Sequence, residues 1–400
     1  MLSNLLAATN YKYSLSICHR CFGRTAYGQE RMFKKVIKLS SLKRKGGLKM
    51  EKTKGAFADK DLYVGIDVHK KKWAVTVRTY DLELKSFGMP PYAEDLEKFL
   101  TTNYKDALIH IVYECCFAGF WIYDYFHERG YDIIVTPTNR IYRDGSIIKT
   151  DKIDSRKLAF QHSRGLLREV KAPSVKVREY KYIFRIYDKE KMREGQILRQ
   201  IKSILEQKNH RLKWERWNKE FVEKLKEVRF AEEIFNTKFK QLIREYEYVK
   251  DQIKDSEQRI KEIGKDEELK EKVKLLEKIN GIGIISAVRL VIYLFDRKDK
   301  FESGEKLVHY LGLTPGEQSS GEEIIRSRTG LIGNRQLRSI IIQLAWVAVR
   351  KDGALLNKFE RVYKSSGCKQ KAIVAVARKL MMKVHAVIRK EEEYEINIAA

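Results

Sequence analysis

No proline falls between Pro173 and Pro315, so the middle of this chain lacks the residue that most strongly breaks a helix. Within it apolar residues recur in alternating steps of four and three, at Phe221, Leu225, Val228, Phe235, Phe239, Leu242, Tyr246, Val249, Ile253, Ile260 and Ile263. Glu232 and Ser256 are the polar exceptions, and Gly264 closes the run. Such a heptad register predicts a coiled coil. It pairs either as a hairpin within the chain or as a seam between two copies. The seam is the stronger expectation, because a long charged helix pair gains little by protruding alone. A chain of 400 residues accommodates roughly two to four domains. The expected division is a basic, disordered extension over 1–60, an α/β domain over 61–172, a helical linker over 173–275, a mainly helical domain over 276–390 and a tail over 391–400.

The α/β region opens with two β-rich runs, Leu62 to Val68 and Trp73 to Arg78, joined by the polar turn Lys70-Lys71-Lys72, which is a hairpin signal. A strand near Leu84 to Gly88, a helix over Ala93 to Thr101 and a strand from Ala107 to Tyr113 follow. An aromatic helix from Trp121 to Arg129, a strand from Tyr131 to Thr136 and a helix opening near Thr150 complete the order βββαβαβα. That is the order of a ribonuclease H-like mixed sheet. The extension ahead of it carries basic tracts without a sustained period, and Met50 is an alternative natural start. Its Cys18 and Cys21 form a lone CxxC, without the second ligand pair a zinc site needs.

Lys and Arg number 81 against 54 Asp and Glu, a net charge of +27. An excess of that size points to a polyanionic partner, nucleic acid first. The 21 Tyr and 5 Trp add surfaces on which unpaired bases can stack. No apolar run reaches the ~18 residues of a membrane span. Five cysteines, two of them adjacent at Cys115 and Cys116, do not form an even disulfide set, which fits a reducing, cytoplasmic setting.

Four carboxylates stand where chemistry can use them. Asp67 lies mid-strand among apolar neighbours, where an unpaired charge is costly, and Glu114 ends another strand. Asp151 and Asp154 are three apart and share a helix face, with Thr150 as a candidate N-cap. Four converging carboxylates stay ionised together only if cations neutralise them, and Mg²⁺ is the natural occupant. Surface pairing of Asp151 with Lys149 and of Asp154 with Arg156 is the plainer reading of the helix pair. His69, two residues beyond Asp67, faces the same side of the strand as a possible support for it.

The last third begins with Ile279-Asn280-Gly281-Ile282-Gly283, which is read equally as a phosphate-holding helix start or as a plain interhelical turn. Helices are expected over Ile284 to Phe295, Gly304 to Tyr310, Asn334 to Val349 and Lys369 to Lys390. Between the second and third lie Gln318-Ser319-Ser320-Gly321 and then the arginines Arg326, Arg328, Arg335 and Arg338, which can hold phosphates. A serine hydroxyl needs an activating group before it attacks, so on the residues alone Ser319 and Ser320 read as a polar turn.

Taken together, Val64-Gly65-Ile66-Asp67-Val68-His69-Lys70, Tyr113-Glu114 and Thr150-Asp151-Lys152-Ile153-Asp154-Ser155-Arg156 resemble the DEDD, RuvC-like domain of the IS110 family of insertion-sequence transposases. Gly281-Ile282-Gly283, Tyr310 to Pro315, Ser320-Gly321 and Gly333-Asn334-Arg335-Gln336-Leu337-Arg338 resemble that family's second catalytic domain. The resemblance spans roughly residues 62 to 350, with the motifs in order. It implies a serine-dependent recombinase in which metal-bound carboxylates and a C-terminal serine form one composite site. The metal ligands would be Asp67, Glu114, Asp151 and Asp154, and the nucleophile Ser320, with Ser319 its rival. It further implies donor and target DNA, a structured guide RNA, and dimers that assemble into tetramers. Glu322-Glu323 and Leu331-Ile332 depart from the small or basic residues common at those places in the family, and the 60-residue extension lies outside its pattern. Two other readings compete: a RuvC-like nuclease that hydrolyses DNA with water, and a nucleic-acid-binding protein that cuts nothing.

Overall fold

The computed structural model describes residues 57–138, 151–210, 217–296, 300–314, 317–320, 323–326 and 333–393. The expectations placed on 1–56, Thr150, Arg328 and 331–332 lie outside the described residues, as do the side chains of Asp151, Ser319, Ser320 and Arg326. The chain divides into two compact units, Met1–Ala172 and Pro173–Ala400.

The first unit is a five-stranded mixed sheet in the order β3-β2-β1-β4-β5, built from β1 (Asp61–Val68), β2 (Trp73–Arg78), β3 (Glu83–Met89), β4 (Leu108–Glu114) and β5 (Asp132–Thr136). β1 runs antiparallel to β2 and parallel to β4, and β4 is parallel to β5. Strand residues alternate between faces, and the alternation assigns each helix its side. Leu62, Val64, Ile66, Ile111, Tyr113, Ile133 and Val135 are buried in one cluster with residues of α1 (Ala93–Asn103) and α2 (Trp121–His127). The other face carries α3 (Asp151–Ser163).

Gly65 decides how closely α3 approaches. A Cβ at Gly65 would lie 2.3 Å from the Ser155 carbonyl oxygen and 2.5 Å from the Ala159 nitrogen, so helix and strand backbones touch where a side chain would otherwise stand. Beside this contact the Thr76 hydroxyl is 2.9 Å from the Ser155 hydroxyl and 3.0 Å from that of Ser86. These hydrogen bonds satisfy polar groups that burial would otherwise penalise.

Among its described residues the second unit is helical apart from one hairpin. α4 (Val175–Gln207) precedes the heptad run, which is carried by α5 (Lys219–Glu227) and α6 (Glu233–Ile263) and is not one helix. The backbone of Val228 is extended (ψ 132°) and ends α5. The buried Asn236 amide then pairs with the Phe230 backbone, accepting from its N–H (2.7 Å) and donating to its carbonyl (3.0 Å). These bonds hold the chain in a bend that the spacing of apolar residues does not foretell. The seam is filled from within the chain: Ile197, Ile201 and Leu205 of α4 are buried in one cluster with Phe239, Ile243, Tyr246, Val249 and Ile253 of α6. Of the two pairings expected, the one within the chain fills this face. Ser256, a polar exception in the register, donates to Glu190 on α4 (2.7 Å).

α7 (Lys270–Glu277), α8 (Ile284–Leu294), α9 (Gly304–Tyr310), α10 (Arg335–Val349), α11 (Gly353–Ser366) and α12 (Lys369–Lys390) share a core with the base of that pair, through Val177, Phe184, Ile260 and Ile263. Arg289 of α8 is buried, donates twice to Asp188 of α4 (2.7 and 3.1 Å), and stacks 4.6 Å from the Phe184 ring centre. In Gly281-Ile282-Gly283 the first glycine serves packing and turning, and Gly283 stands at the N-cap of α8. Gly281 has φ +96°, and a Cβ there would lie 2.8 Å from the Ala348 nitrogen. This favours the plain interhelical turn over the phosphate cradle. No helix among the described residues is long and apolar enough to cross a membrane.

Candidate active site

The parallel register aligns Ile66 with Tyr113, and Tyr113 with Val135, and pairs Glu114 with Thr136. One step beyond Ile66 and Tyr113, Asp67 stands beside Glu114, so Asp67, Glu114 and Thr136 form a row across the carboxyl ends of β1, β4 and β5. Neighbouring strands lie about 4.8 Å apart. All three residues belong to the face that α3 covers, because Asp67 shares the side of Gly65. α3 runs against the direction of β1: Ser155 and Ala159 meet Gly65, while His162 lies 5.6 Å from the Tyr63 ring, nearer the start of the strand. Its first turn, with Asp151 and Asp154, is therefore at the end where the row lies. One helical turn ahead of the buried Ser155 and Leu158, these two positions share the sheet-facing side.

Asp67 is mostly covered, and its carboxylate lies 3.1 Å from His69 Nε2. Burial raises the pKa of the Cys116 thiol, and the negative charges near it, Glu114 and Asp67 among them, raise it further. One thiol thus senses both carboxylates. Among the described residues no three His, Cys, Asp or Glu side chains stand close enough to hold a metal ion. The row nonetheless has an unmet need: Thr136 Oγ1 is buried without a hydrogen-bond partner among the described residues. Carboxylate oxygens beside an orphaned hydroxyl are hard donors, the set that suits a hard divalent cation.

The serine motif is in a hairpin, not a polar turn. β6 (Glu317–Ser320) pairs antiparallel with β7 (Glu323–Arg326), Ser320 opposite Glu323 and Ser319 opposite Ile324. Ser320 ends its strand. Arg326 ends β7, and Arg335 is exposed at the first residue of α10. Arg338 plays a structural part, its guanidinium lying 3.4 Å from the carbonyls of Leu311 and Gly312. Gly333 (φ +102°) presses on the same turn, since a Cβ there would lie 2.6 Å from the Gly312 nitrogen.

Two family models match this chain. The model for the DEDD transposase of IS110 matches residues 64–210, and that of the IS116/IS110/IS902 transposase family matches 273–360; together they cover more than half of the sequence. The chain belongs to the IS110 family of transposases. It is 26% identical to transposase y4qE of Sinorhizobium fredii over 318 residues, 73% of either chain. It is 31% identical to the pilin gene-inverting protein of Moraxella bovis over 133 residues, 33% of this chain and 41% of that one. The transposase for insertion sequence element IS1533 of Leptospira borgpetersenii is 25% identical over 59% of this chain and 70% of its own. DNA transposase or recombinase activity follows at this general level, and the DEDD domain implies a divalent metal ion.

The transposase also carries residues near the carboxylates that sequence patterns did not single out. Phe117 and Trp121 are exposed just beyond the carboxyl end of β4, with Lys70 5.8 Å from the Phe117 ring. The Tyr113 hydroxyl donates to the Gly119 carbonyl (2.8 Å) and so fixes the loop that bears them. Thr136 gave no signal in sequence, since a threonine at a strand end is ordinary; only register reveals it.

At the opposite end of the sheet, His162 is largely buried and its Nε2 has no partner among the described residues. Burial lowers its pKa to about 4, nearby His110 adds to this, and Asp132 opposes it. His110 behaves oppositely: burial works against its charged form, but hydrogen bonds to Asp132 (2.5 Å) and Asp61 (2.9 Å) prevail and raise its pKa. An unfolded His162 binds a proton near pH 6.5 and the folded one does not. Its contribution is therefore full above that pH and is lost as pH falls towards 4. That of His110 is full below pH 6.5 and is lost as pH rises through its raised pKa. Thermal melts between pH 6.5 and 5 should show wild-type stability falling by roughly 1–2 kcal/mol through His162, and a shallower fall in His162→Phe. Equal slopes in the two proteins would contradict this assignment.

Proposed function

We propose that this transposase cuts and rejoins the DNA strands of an insertion sequence with Ser320 as the nucleophile. Asp67, Glu114, Asp151 and Asp154 of a ribonuclease H-like, RuvC-like domain are the proposed ligands of Mg²⁺. The observation that carries the carboxylate half is the alignment of Asp67 with Glu114 at the strand ends, with the first turn of α3 brought to that end by the Gly65 contact. The serine half rests on the family resemblance and on the position of Ser320 at a strand end before a glycine.

Attack of Ser320 Oγ on a backbone phosphorus forms a phosphoserine and releases a deoxyribose hydroxyl, the serine proton ending on the leaving oxygen. Attack by a hydroxyl of the exchanged strand breaks the seryl bond and restores a phosphodiester, with the proton returned to serine. Bond energy is conserved, and no nucleotide hydrolysis is required. When bound, Mg²⁺ stabilises charge on the attacking and leaving oxygens. Asp67, set among apolar strand residues and paired with His69, gives that site its fixed edge. Arg326, Arg328 and the exposed Arg335 supply cations for phosphates, whereas Arg338 holds the turn. A structured RNA that pairs with donor and target DNA, and assembly of dimers into tetramers, complete the reading.

The test is a denaturing gel of labelled element-junction DNA incubated with protein, Mg²⁺ and RNA from the element's flanks. A protease-sensitive protein–DNA adduct is expected from the wild type and from Ser319→Ala, and none from Ser320→Ala. Cleavage without an adduct, persisting in Ser320→Ala, would make the protein a metal-dependent hydrolase instead.

A further inference from the structure

α11 and α12 form a helical hairpin joined through Gly367, whose φ is +63°. Between them lies a groove of about 340 Å³ lined by Lys358, Arg361, Ala375, Arg378, Lys379 and Met382. Four cations therefore surround a floor of two apolar side chains. Arg361 and Arg378 are exposed, while Lys358 and Lys379 are half-buried. Among the described residues no carboxylate pairs with any of the four. Lys358 registers the crowding: burial lowers its pKa, and every charge that acts on it is a cation, Arg361, Lys379 and Arg378. Nearby cations are treated differently, since Lys383 is paired with the buried Asp352 at 3.1 Å. From residue 353 to 390 there are ten Lys and Arg and a single acidic residue, Glu360. Like charges this close repel unless an anion neutralises them.

The other flank of α11 is aromatic. Trp346 of α10 and Tyr363 are 41% and 38% exposed, and Phe359 links them, its ring 5.6 Å from Trp346 and 6.1 Å from Tyr363, nearly parallel to the latter. Lys364 is exposed on the same helix. A helix with its side chains is about 10–12 Å across, a width that a few nucleotides of one strand can cross.

We propose that this hairpin is a binding site for single-stranded DNA, with backbone phosphates in the basic groove and unpaired bases stacked on Trp346 and Tyr363. Duplex DNA keeps its bases stacked on each other and has no use for the aromatic flank, whereas an unpaired strand uses both features. The site rests on the DNA substrate of the family and is independent of which group attacks the phosphate. It would hold a strand laid open during exchange.

Fluorescence anisotropy of a labelled 12-nucleotide DNA with the full-length protein tests it across a salt series. Arg361→Gln with Arg378→Gln should weaken binding about tenfold near 0.15 M salt and lower the slope of log affinity against log salt by about 1.4, the value for two lost single-strand phosphate contacts. Trp346→Ala should weaken binding at least fivefold and leave the slope unchanged. The control Lys261→Gln with Lys265→Gln removes the same charge from exposed positions outside the hairpin and should change affinity less than twofold. Losses in the control equal to those in the arginine pair would overturn the proposal. So would tighter binding of a duplex, or of RNA of the same sequence, than of the single-stranded DNA.

Discussion

Gly65→Val is expected to prevent the N-terminal unit from folding as described, with loss of its cooperative melting transition and of all DNA cleavage. Even the first atom of the new side chain would lie 2.3 Å from the Ser155 carbonyl and 2.5 Å from the Ala159 nitrogen. Both are backbone atoms of a helix and cannot swing aside. Relief requires α3 to lift from the sheet, which would expose Leu158 and Ala159 and break the buried hydrogen bond between Thr76 and Ser155. Exposing the leucine costs about 2 kcal/mol, and the lost hydrogen bond adds about 0.5–1.5 kcal/mol, Thr76 keeping its bond to Ser86. A loss of about 3 kcal/mol is a large part of what a small domain has. Gly65→Ala should do nearly the same, since the contact is already violated at Cβ. Circular dichroism melts of each substitution in the full chain check this. A melting temperature within a few degrees of wild type would show that α3 does not rest on Gly65.

That contact also shows why part of the site is legible in sequence. β1, β2, β4 and β5 announce themselves through runs of β-branched and aromatic residues, and an aspartate inside such a run is conspicuous because an apolar strand has no ordinary use for it. Gly65 in the middle of a strand signals a close backbone approach, although not by which element. Asp151 and Asp154 are visible as a helix-spaced pair. What joins them to Asp67 is tertiary: the direction of α3 over the sheet and the register of β1 with β4. Thr136 enters the site only through that register.

The second unit shows the complementary limit. The heptad spacing correctly marks the buried positions Phe239, Tyr246, Val249 and Ile253, but a period carries no information about where the partner comes from. Here the partner is α4, whose own apolar residues are less regular. The bend before α6 is equally hidden, because it is held by the Asn236 side chain bonding to the backbone six residues earlier. Asn236 lies off the heptad register and resembles an ordinary helix-surface residue. The arginines divide for a similar reason: Arg335 and Arg338 look alike in sequence, yet one opens its helix towards solvent and the other is drawn to two carbonyls.

Asp67→Asn should separate stability from activity at the carboxylate row. Asp67 and Glu114 sit on adjacent strands at the same level, so without a cation each disfavours the other's charge. An amide is isosteric, still offers His69 a hydrogen-bond partner, and removes that repulsion. In metal-free buffer the variant should therefore melt at the same temperature as wild type or slightly above it. With Mg²⁺ the order should reverse, because a cation that binds only the folded state stabilises it in proportion to RT ln(1 + [L]/Kd), about 2.7 kcal/mol at a hundredfold excess over Kd. Wild type should gain stability and Asp67→Asn should gain little. DNA cleavage should fall at least a thousandfold in the variant, since losing a group that holds the charge-stabilising ion removes about 4 kcal/mol or more from transition-state binding. The melt is informative independently of the gel. If Mg²⁺ raised both proteins equally, the ion would be bound elsewhere, and the row of Asp67, Glu114 and Thr136 would be a structural strand end rather than a metal site.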